Sequence, residues 1–380
     1  MNRRLSAQPP PHSTSPVRLG GLSGWLVLGL LGSLGSLGLG GCADLDAGAT
    51  ANHTDSLGDA GTDADDAGPT VAMPGAVTML TSARGPGVIR VASYNIEKNS
   101  AFEPNNPQAV RFLRLVKAIG ADVWALQEVW SPPETVAAWF NSRMPLPNGA
   151  TWTAVDGGST MTVSSFPVVH HQSATSPDSG RKISLTWIDV PASLWSKDLY
   201  LINAHMTCCG DGELSRQREA DSIAAWIQRV RGGKLPNPLP TATPLLLIGD
   251  LNLVGGPGPL HTLVTGDIND EASWGPDAAP DWDDTPLRDI RPHHNGDGDA
   301  TWTWRWDGSG FNQNRLDCAL LSDSVAEVVA AMVLNTTTLT QPQLDALGLA
   351  QLDVGKSKLG AGWVLDHLPL VIDLRLPESP

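Results

Sequence analysis

Short apolar runs recur along this chain, each bordered by polar residues, and a run of that kind has few structures open to it. Val88 to Ala92 leads into Ser93-Tyr94-Asn95-Ile96-Glu97, and Asp122 to Leu126 into Gln127-Glu128. Leu199 to Ala204 ends at His205, and Leu245 to Ile248 at Gly249-Asp250. Runs of this length bounded by turn residues read as buried strands. Thr160 to Ser165, Ile183 to Val190, Arg315 to Leu321 and Leu368 to Leu374 read the same way. Two stretches carry helical spacing instead. One is Val110, Leu113, Val116 and Ile119, closed by Gly120 as a C-cap; the other is Glu213 to Val230, with Ile223, Trp226, Ile227 and Val230 on one face. Strands and helices mix without strict alternation. The expected fold class is therefore α+β, a two-layer β-sandwich flanked by helices, rather than a doubly wound parallel sheet. The stretches 255–300 and 335–362, rich in Gly, Pro, Asp and Thr, read as surface insertions.

Before Val88 the chain has a different character. Arg3, Arg4 and Arg18 precede an uncharged stretch from Leu19 to Cys42, the basic-then-apolar order of an export signal. It ends in Leu39-Gly40-Gly41-Cys42, which resembles the bacterial lipobox, whose Cys carries a lipid. The expectation is a lipoprotein signal peptide over 1–41 and a membrane anchor at Cys42, in the periplasm or on the cell surface. From Ala43 to about Thr78 the chain has seven Asp and no Lys or Arg, so 42–78 reads as a disordered acidic tether. The catalytic domain is expected over 79–380. The formal charge is −15, and loss of the three arginines with the signal takes it to −18. A surface this acidic repels polyanions on average, so an anionic substrate needs a local basic or metal-bearing cleft. Cys208, Cys209 and Cys318 are odd in number, and no CxxC spacing suggests zinc. A bridge from Cys208 or Cys209 to Cys318 stays open.

The strand borders collect one kind of chemistry. Asn95, Glu97, Glu128, Asp250, Asn252 and Asp366 offer oxygen ligands suited to Mg²⁺ or another hard divalent cation. His205 and His367 titrate near neutral pH and suit acid/base work. Singly, each has a plain reading: a strand-end turn for Asn95, a solvated cap for Glu128, an Asx-turn around Leu251, a surface pair at Asp366-His367. Together they suit attack of water on phosphorus.

In this order the residues resemble the endonuclease/exonuclease/phosphatase superfamily over about 88 to 375. Ser93-Tyr94-Asn95-Ile96-Glu97 looks like its opening Asn motif and Leu126-Gln127-Glu128-Val129 like its Gln-Glu motif. Ser164-Ser165-Phe166-Pro167-Val168 resembles an internal strand, with Ser165 where Arg is usual. Asn203-Ala204-His205, Gly249-Asp250-Leu251-Asn252 and Arg315-Leu316-Asp317 match in sequence order, the Gly-Asp-x-Asn motif being the most specific. Leu365-Asp366-His367-Leu368 closes the set, with Leu365 in place of Ser. The resemblance implies a deoxyribonuclease I-like four-layer fold and hydrolysis of phosphoesters without a covalent intermediate. It implies that Glu128 binds Mg²⁺, or Mn²⁺, with Asn95, Glu97 and Asp366 nearby. It further implies that Asp250 activates water, that Asn252 holds a phosphate oxygen, that Asp317 orients His367 at the scissile phosphate, and that His205 is a second acid/base or phosphate contact.

Substrate choice is less defined by the sequence. Arg181, Arg216 and Arg218 either approach phosphates or are simply solvated. The alternation Thr301-Trp302-Thr303-Trp304-Arg305-Trp306 suits base stacking or strand packing equally. No long hydrophobic hairpin of the membrane-inserting kind is evident, which weighs against a sphingomyelinase. The expectation is a monomeric phosphodiesterase acting on nucleic acid; a phosphatase or phospholipase acting on inositol phosphates or lipid head groups is the alternative, and a silent binding module the third.

Overall fold

The computed structural model describes residues 73–377, except 104, 178, 179, 181, 308, 309 and 356–364. The signal segment, Cys42, the tether up to residue 72 and Arg181 lie outside the described residues. The described chain starts with helix α1 (Ala76–Thr81), strand β1 (Ile89–Asn95), helix α2 (Pro107–Ile119) and strand β2 (Val123–Gln127). Helix α3 (Pro133–Arg143) follows, then strands β3 (Thr153–Asp156), β4 (Thr160–Ser164), β5 (Val168–Thr175), β6 (Lys182–Ile188) and β7 (Leu199–His205). Next come helix α4 (Glu213–Arg231), strand β8 (Leu245–Asp250), helices α5 (Gly258–Thr265) and α6 (Glu271–Trp274), and strand β9 (Arg288–Ile290). Strands β10 (Asp317–Leu321) and β11 (Glu327–Val333), helix α7 (Gln341–Leu347) and strand β12 (Leu370–Arg375) complete it.

The strands form two six-stranded sheets, ordered β11-β12-β1-β2-β4-β3 and β5-β6-β7-β8-β10-β9. Each sheet has one parallel pair joined by a helical crossover, β1 to β2 through α2 and β7 to β8 through α4; the other neighbours are antiparallel. The central strands β1, β2, β4, β7, β8 and β10 are buried along their whole length. That accounts for their continuous apolar runs, since a strand covered on both faces has no solvent side to alternate toward. Between the sheets, buried Gln127 donates to Asn203 Oδ1 at 2.8 Å, while Asn203 Nδ2 donates to Leu126 O and Met161 O at 3.2 Å each. Directional hydrogen bonds at this depth fix the stacking of the layers more sharply than apolar contact does, even though Gln127 Oε1 is buried with no partner among the described residues.

The structure departs from expectation in three places. Helix α2 buries Phe112, Leu115, Val116 and Ile119, a tighter i, i+3, i+4, i+7 stripe than the one read from Val110, which is 58% exposed. Residues 76–78, assigned to the tether, are the first half of α1, whose Ala76 and Met79 are buried in the core. The supposed insertions are partly structural: Leu263, Ile268 and Leu287 are buried, and β9 extends the second sheet beside β10. Their Gly and Pro content marks turns between short packed pieces. Cys208, Cys209 and Cys318 are thiols, and no bridge to Cys318 is present among the described residues.

Candidate active site

Register brings the polar residues together. The parallel pairing of β7 with β8 sets His205 opposite Asp250, and the antiparallel pairing of β8 with β10 sets Asp317 opposite Asp250. Paired residues share a face, so the three side chains leave one sheet side by side. In the other sheet Asn95 pairs with Gln127 at the ends of β1 and β2, with Glu128 one step beyond. Parallel strands that end and antiparallel strands that begin at the same edge gather these termini into one place. His367 lies just before β12 and is bridged to Trp304.

The local backbone is specialised. Gly249 has φ 147°, and a Cβ there would lie 2.0 Å from Ala204 O, so only glycine lets β8 approach β7 ahead of Asp250. Glu97, Lys98 and Asn99 have φ 50°, 55° and 61°, and Glu128 has φ 59°. Non-glycine residues in this region cost about 1–3 kcal/mol each and concentrate at functional sites. Here the strain is held by hydrogen bonds: Lys98 N donates to Glu128 Oε2 at 2.7 Å, and Asn99 N to Glu128 O at 2.7 Å.

Asp250, 1% exposed, is the centre. Its Oδ2 accepts from Asn95 Nδ2 at 3.0 Å and lies 3.5 Å from His205 Nε2 and 3.7 Å from His367 Nε2. The same Asn95 amide donates to Glu128 Oε1 at 3.1 Å, so together with its bond to Asp250 it links the two sheets across the site. His367 Nδ1 is 2.8 Å from Asp317 Oδ2, so Asp317 orients the ring and leaves Nε2 facing Asp250. Thr303 Oγ1 accepts from the amides of Leu316 and Asp317 and fixes the start of β10.

Burial pushes the Asp250 carboxyl up to about 7, and the nearby Asp317 and Glu128 add to it against the opposing pull of His367 and Asn95. For His367 burial works the other way, yet the carboxylates of Asp317, Asp250 and Asp366 outweigh it and hold the imidazole well above its usual value. Tyr94, wholly buried, is pushed up by burial and then by Asp366, Asp353, Glu97 and Asp317, which places Asp366 and Glu97 in the same acidic neighbourhood.

Of the predicted residues, Asn95, Glu128, His205, Asp250, Asp317 and His367 are brought into contact. Asn252 is tied in less directly: its amide N donates to Asp250 Oδ1 at 3.1 Å and its Nδ2 to Met206 O at 3.2 Å. Glu97 reaches Asn95 Oδ1 through its backbone N–H at 3.0 Å. Asp366 Oδ2 accepts from Trp304 Nε1 at 3.2 Å. Trp304, Thr303 and Gln127 thus support the site, and only the TWTW alternation hinted at the first two. Arg216 does not face phosphate: it is fully buried and bonded to backbone carbonyls.

The donor chemistry fits a divalent cation. Carboxylates of Glu128, Asp250, Asp317 and Asp366 gather around the Asn95 amide and two histidines, an excess of negative charge that a cation relieves. Asp317 Oδ1 is buried with no hydrogen-bond partner among the described residues. Asp250, Asp317 and His367 alone could enclose an ion, their donor atoms lying within 4.8 Å of one another. Both His367 nitrogens, however, already face carboxylates, which suits a proton-carrying pair better than metal ligation. The oxygen-only group around Glu128 and Asn95 is the better match to a hard cation.

The model of the Endonuclease/Exonuclease/phosphatase family matches residues 92–338, more than half of the chain. Among solved structures, truncated TDP2 of Caenorhabditis elegans is 15% identical with a TM-score of 0.49, covering 76% of this chain and 98% of that one. A family protein from Bacteroides thetaiotaomicron is 16% identical with a TM-score of 0.49, covering 78% and 100%. The human Nocturnin catalytic domain with bound sulfate is 15% identical with a TM-score of 0.46, covering 78% and 97%. No curated protein matches the chain.

Proposed function

Because the chain belongs to the endonuclease/exonuclease/phosphatase family, we propose that it hydrolyses a phosphoester by direct attack of water at the Asp250 site. The observation that carries the proposal is the alignment of Asp317, His367 and Asp250: one carboxylate orients the ring at 2.8 Å, and the other faces its far nitrogen at 3.7 Å. A carboxyl raised to about 7 beside an imidazole raised above its usual value forms a base and a cation at neutral pH.

In this reading Asp250 accepts a proton from the attacking water as its oxygen bonds to phosphorus and the opposite P–O bond breaks. His367, kept protonated by Asp317, binds a phosphate oxygen. Asn252 holds another, and His205, 3.5 Å from Asp250, is a second proton carrier. Glu128, with Asn95, Glu97 and Asp366 beside it, is the donor set for Mg²⁺ or Mn²⁺, whose contribution when bound is to neutralise phosphate oxygens and ease departure of the leaving group.

For substrate we propose a nucleic-acid phosphodiester. Trp130, 55% exposed, stands two residues past Glu128, and Trp306, 39% exposed, two residues past the Trp304 that bonds Asp366. Such faces suit stacking of bases. Full-length protein with Mg²⁺ is to be assayed on plasmid DNA, sphingomyelin and inositol phosphates, with EDTA controls. DNA cleavage stopped by EDTA is expected. Hydrolysis of lipid or inositol phosphate alone would reject the substrate class; inactivity on all three, with Mg²⁺ and with Mn²⁺, would reject hydrolysis in favour of a binding module. The same proposal places the protein outside the cytoplasm on a lipidated Cys42. Radiolabelled fatty acid should enter the wild-type chain and not the Cys42→Ala chain.

A further inference from the structure

The turn between His205 and α4 carries two adjacent cysteines that the hydrolytic reading does not use. Cys208 and Cys209 are both partly exposed thiols with Sγ atoms 2.7 Å apart. Cys209 has φ 75° and ψ 164°, a conformation that L side chains rarely adopt. Cys318 is of another kind: it is wholly buried on β10, where burial pushes its thiol up to about 12.

What surrounds the pair connects it to the site. Arg216, buried in α4, donates through Nη1 to Thr207 O at 2.9 Å and Cys209 O at 2.6 Å, and through Nη2 to Val254 O at 2.6 Å. Val254 N donates to Asn252 O at 2.8 Å. Asn252 Nδ2 donates back to Met206 O at 3.2 Å, and Met206 N to Asp250 O at 3.0 Å. The cysteine turn and the Asp250-to-Val254 loop are therefore one hydrogen-bonded unit clamped by a single guanidinium. That buried cation sits on the carbonyls either side of the pair, and thiols close to an arginine are the ones that react with disulfides.

We propose that Cys208 and Cys209 form a reversible vicinal disulfide by exchange with a low-molecular-weight disulfide such as oxidised glutathione, and that its closure slows hydrolysis. One thiolate attacks a glutathione sulfur; the S–S bond breaks, and one glutathione leaves as thiolate. The second thiolate attacks the protein-bound sulfur of the mixed disulfide and expels the other glutathione. Two cysteine thiols lose two electrons and two protons, and one glutathione disulfide is reduced to two thiols.

Adjacency makes this a switch and not a staple. Cα atoms across a trans peptide are about 3.8 Å apart, short of the roughly 4.4–6.8 Å of ordinary disulfides, so the bond is strained and easily reduced. Closing the ring reorients the peptide whose flanking carbonyls, Thr207 O and Cys209 O, are the acceptors of Arg216. Losing either frees the guanidinium from its place against Val254 O and loosens Asn252 beside Asp250.

The disulfide itself is independent of the proposed activity; its effect on rate rests on that reading. Full-length protein is to be equilibrated at graded ratios of oxidised to reduced glutathione and alkylated. The Cys208–Cys209 peptide is then weighed, the exchange of the Asn252 and Val254 amides followed, and hydrolysis of bis(p-nitrophenyl) phosphate with Mg²⁺ measured. Expected are loss of both alkyl groups under oxidising conditions, faster exchange at Val254, and a rate reduced about tenfold or more, all reversed by dithiothreitol. Cys208→Ser and Cys209→Ser should each abolish the response while keeping the reduced rate within about twofold. Two alkylated cysteines at every ratio, or a closed disulfide with exchange unchanged, would overturn the inference. Should the reduced protein hydrolyse nothing, the hydrolytic reading fails, and the exchange data alone decide for or against the switch.

Discussion

Asp250 occupies a position that four separate pieces of chain define. Asn95 holds it from the other sheet, His205 and Asp317 flank it in register, and His367 faces it from the segment before β12. If this carboxyl accepts the proton from water, it must be ionised to act. Its upward shift to about 7 then gives activity that rises with pH up to roughly that value. Above it the rate should level, then fall as His367, itself shifted upward, loses its proton. A bell-shaped pH profile of kcat/KM whose acid limb is missing in Asp250→Asn checks this, and an acid limb unchanged by that substitution assigns it to another group. Gly249 gives a stability prediction at the same spot. A methyl at 2.0 Å from Ala204 O forces β7 and β8 apart, so Gly249→Ala should cost about 3 kcal/mol or more and lower Tm. At this scale the motif residues were legible in the sequence because strand ends advertise themselves. Trp304 and Thr303 showed only as an alternation open to stacking or strand packing, since their partners, Asp366 for one and the start of β10 for the other, are remote in sequence.

Strands read from the sequence and strands missed divide along a physical line. The eight found, β1, β2, β4, β6, β7, β8, β10 and β12, are the interior strands of the two sheets. The four missed, β3, β5, β9 and β11, are the four edges. An edge strand pairs on one side and often buries one face, so its sequence carries a weaker apolar signal. β5 shows this as alternating half-buried and exposed residues. β11 failed for another reason: Glu327-Val328-Val329-Ala330-Ala331-Met332-Val333 is as compatible with a helix as with a strand until β12 pairs with it. Helices dock through one buried ion pair. Arg90 donates to Asp373 on β12 at 2.6 and 2.8 Å, and also to Met79 O in α1 at 2.6 Å and Ile119 O at the end of α2 at 2.9 Å. Asp373→Ala leaves that guanidinium without its carboxylate and should destabilise by about 3–5 kcal/mol in denaturant unfolding. A loss below about 1 kcal/mol would show the pair to be dispensable.

Across the whole molecule, the two sheets each deliver half a site. Asn95 and Glu128 come from the first, and His205, Asp250, Asn252 and Asp317 from the second, while Asp366-His367 closes the gap on the way into β12. Neither sheet alone holds both Glu128 and the Asp250–His367 pair, so the proposed activity depends on the stacking that Gln127 and Asn203 fix between the layers. With a formal charge of −15, the chain has no overall attraction for polyanions, which leaves capture of a phosphoester to this small region. The central claim is hydrolysis by water activated at Asp250 with a divalent cation held around Glu128. Its most direct test is the steady-state rate of bis(p-nitrophenyl) phosphate hydrolysis by wild-type and Asp250→Asn protein, each with Mg²⁺ and with EDTA, alongside melting curves. The expected result is Mg²⁺-dependent turnover in the wild type that drops by about 10²–10⁴-fold in Asp250→Asn at unchanged Tm. Full Mg²⁺-dependent turnover by Asp250→Asn, or wild-type turnover indifferent to EDTA, would contradict it.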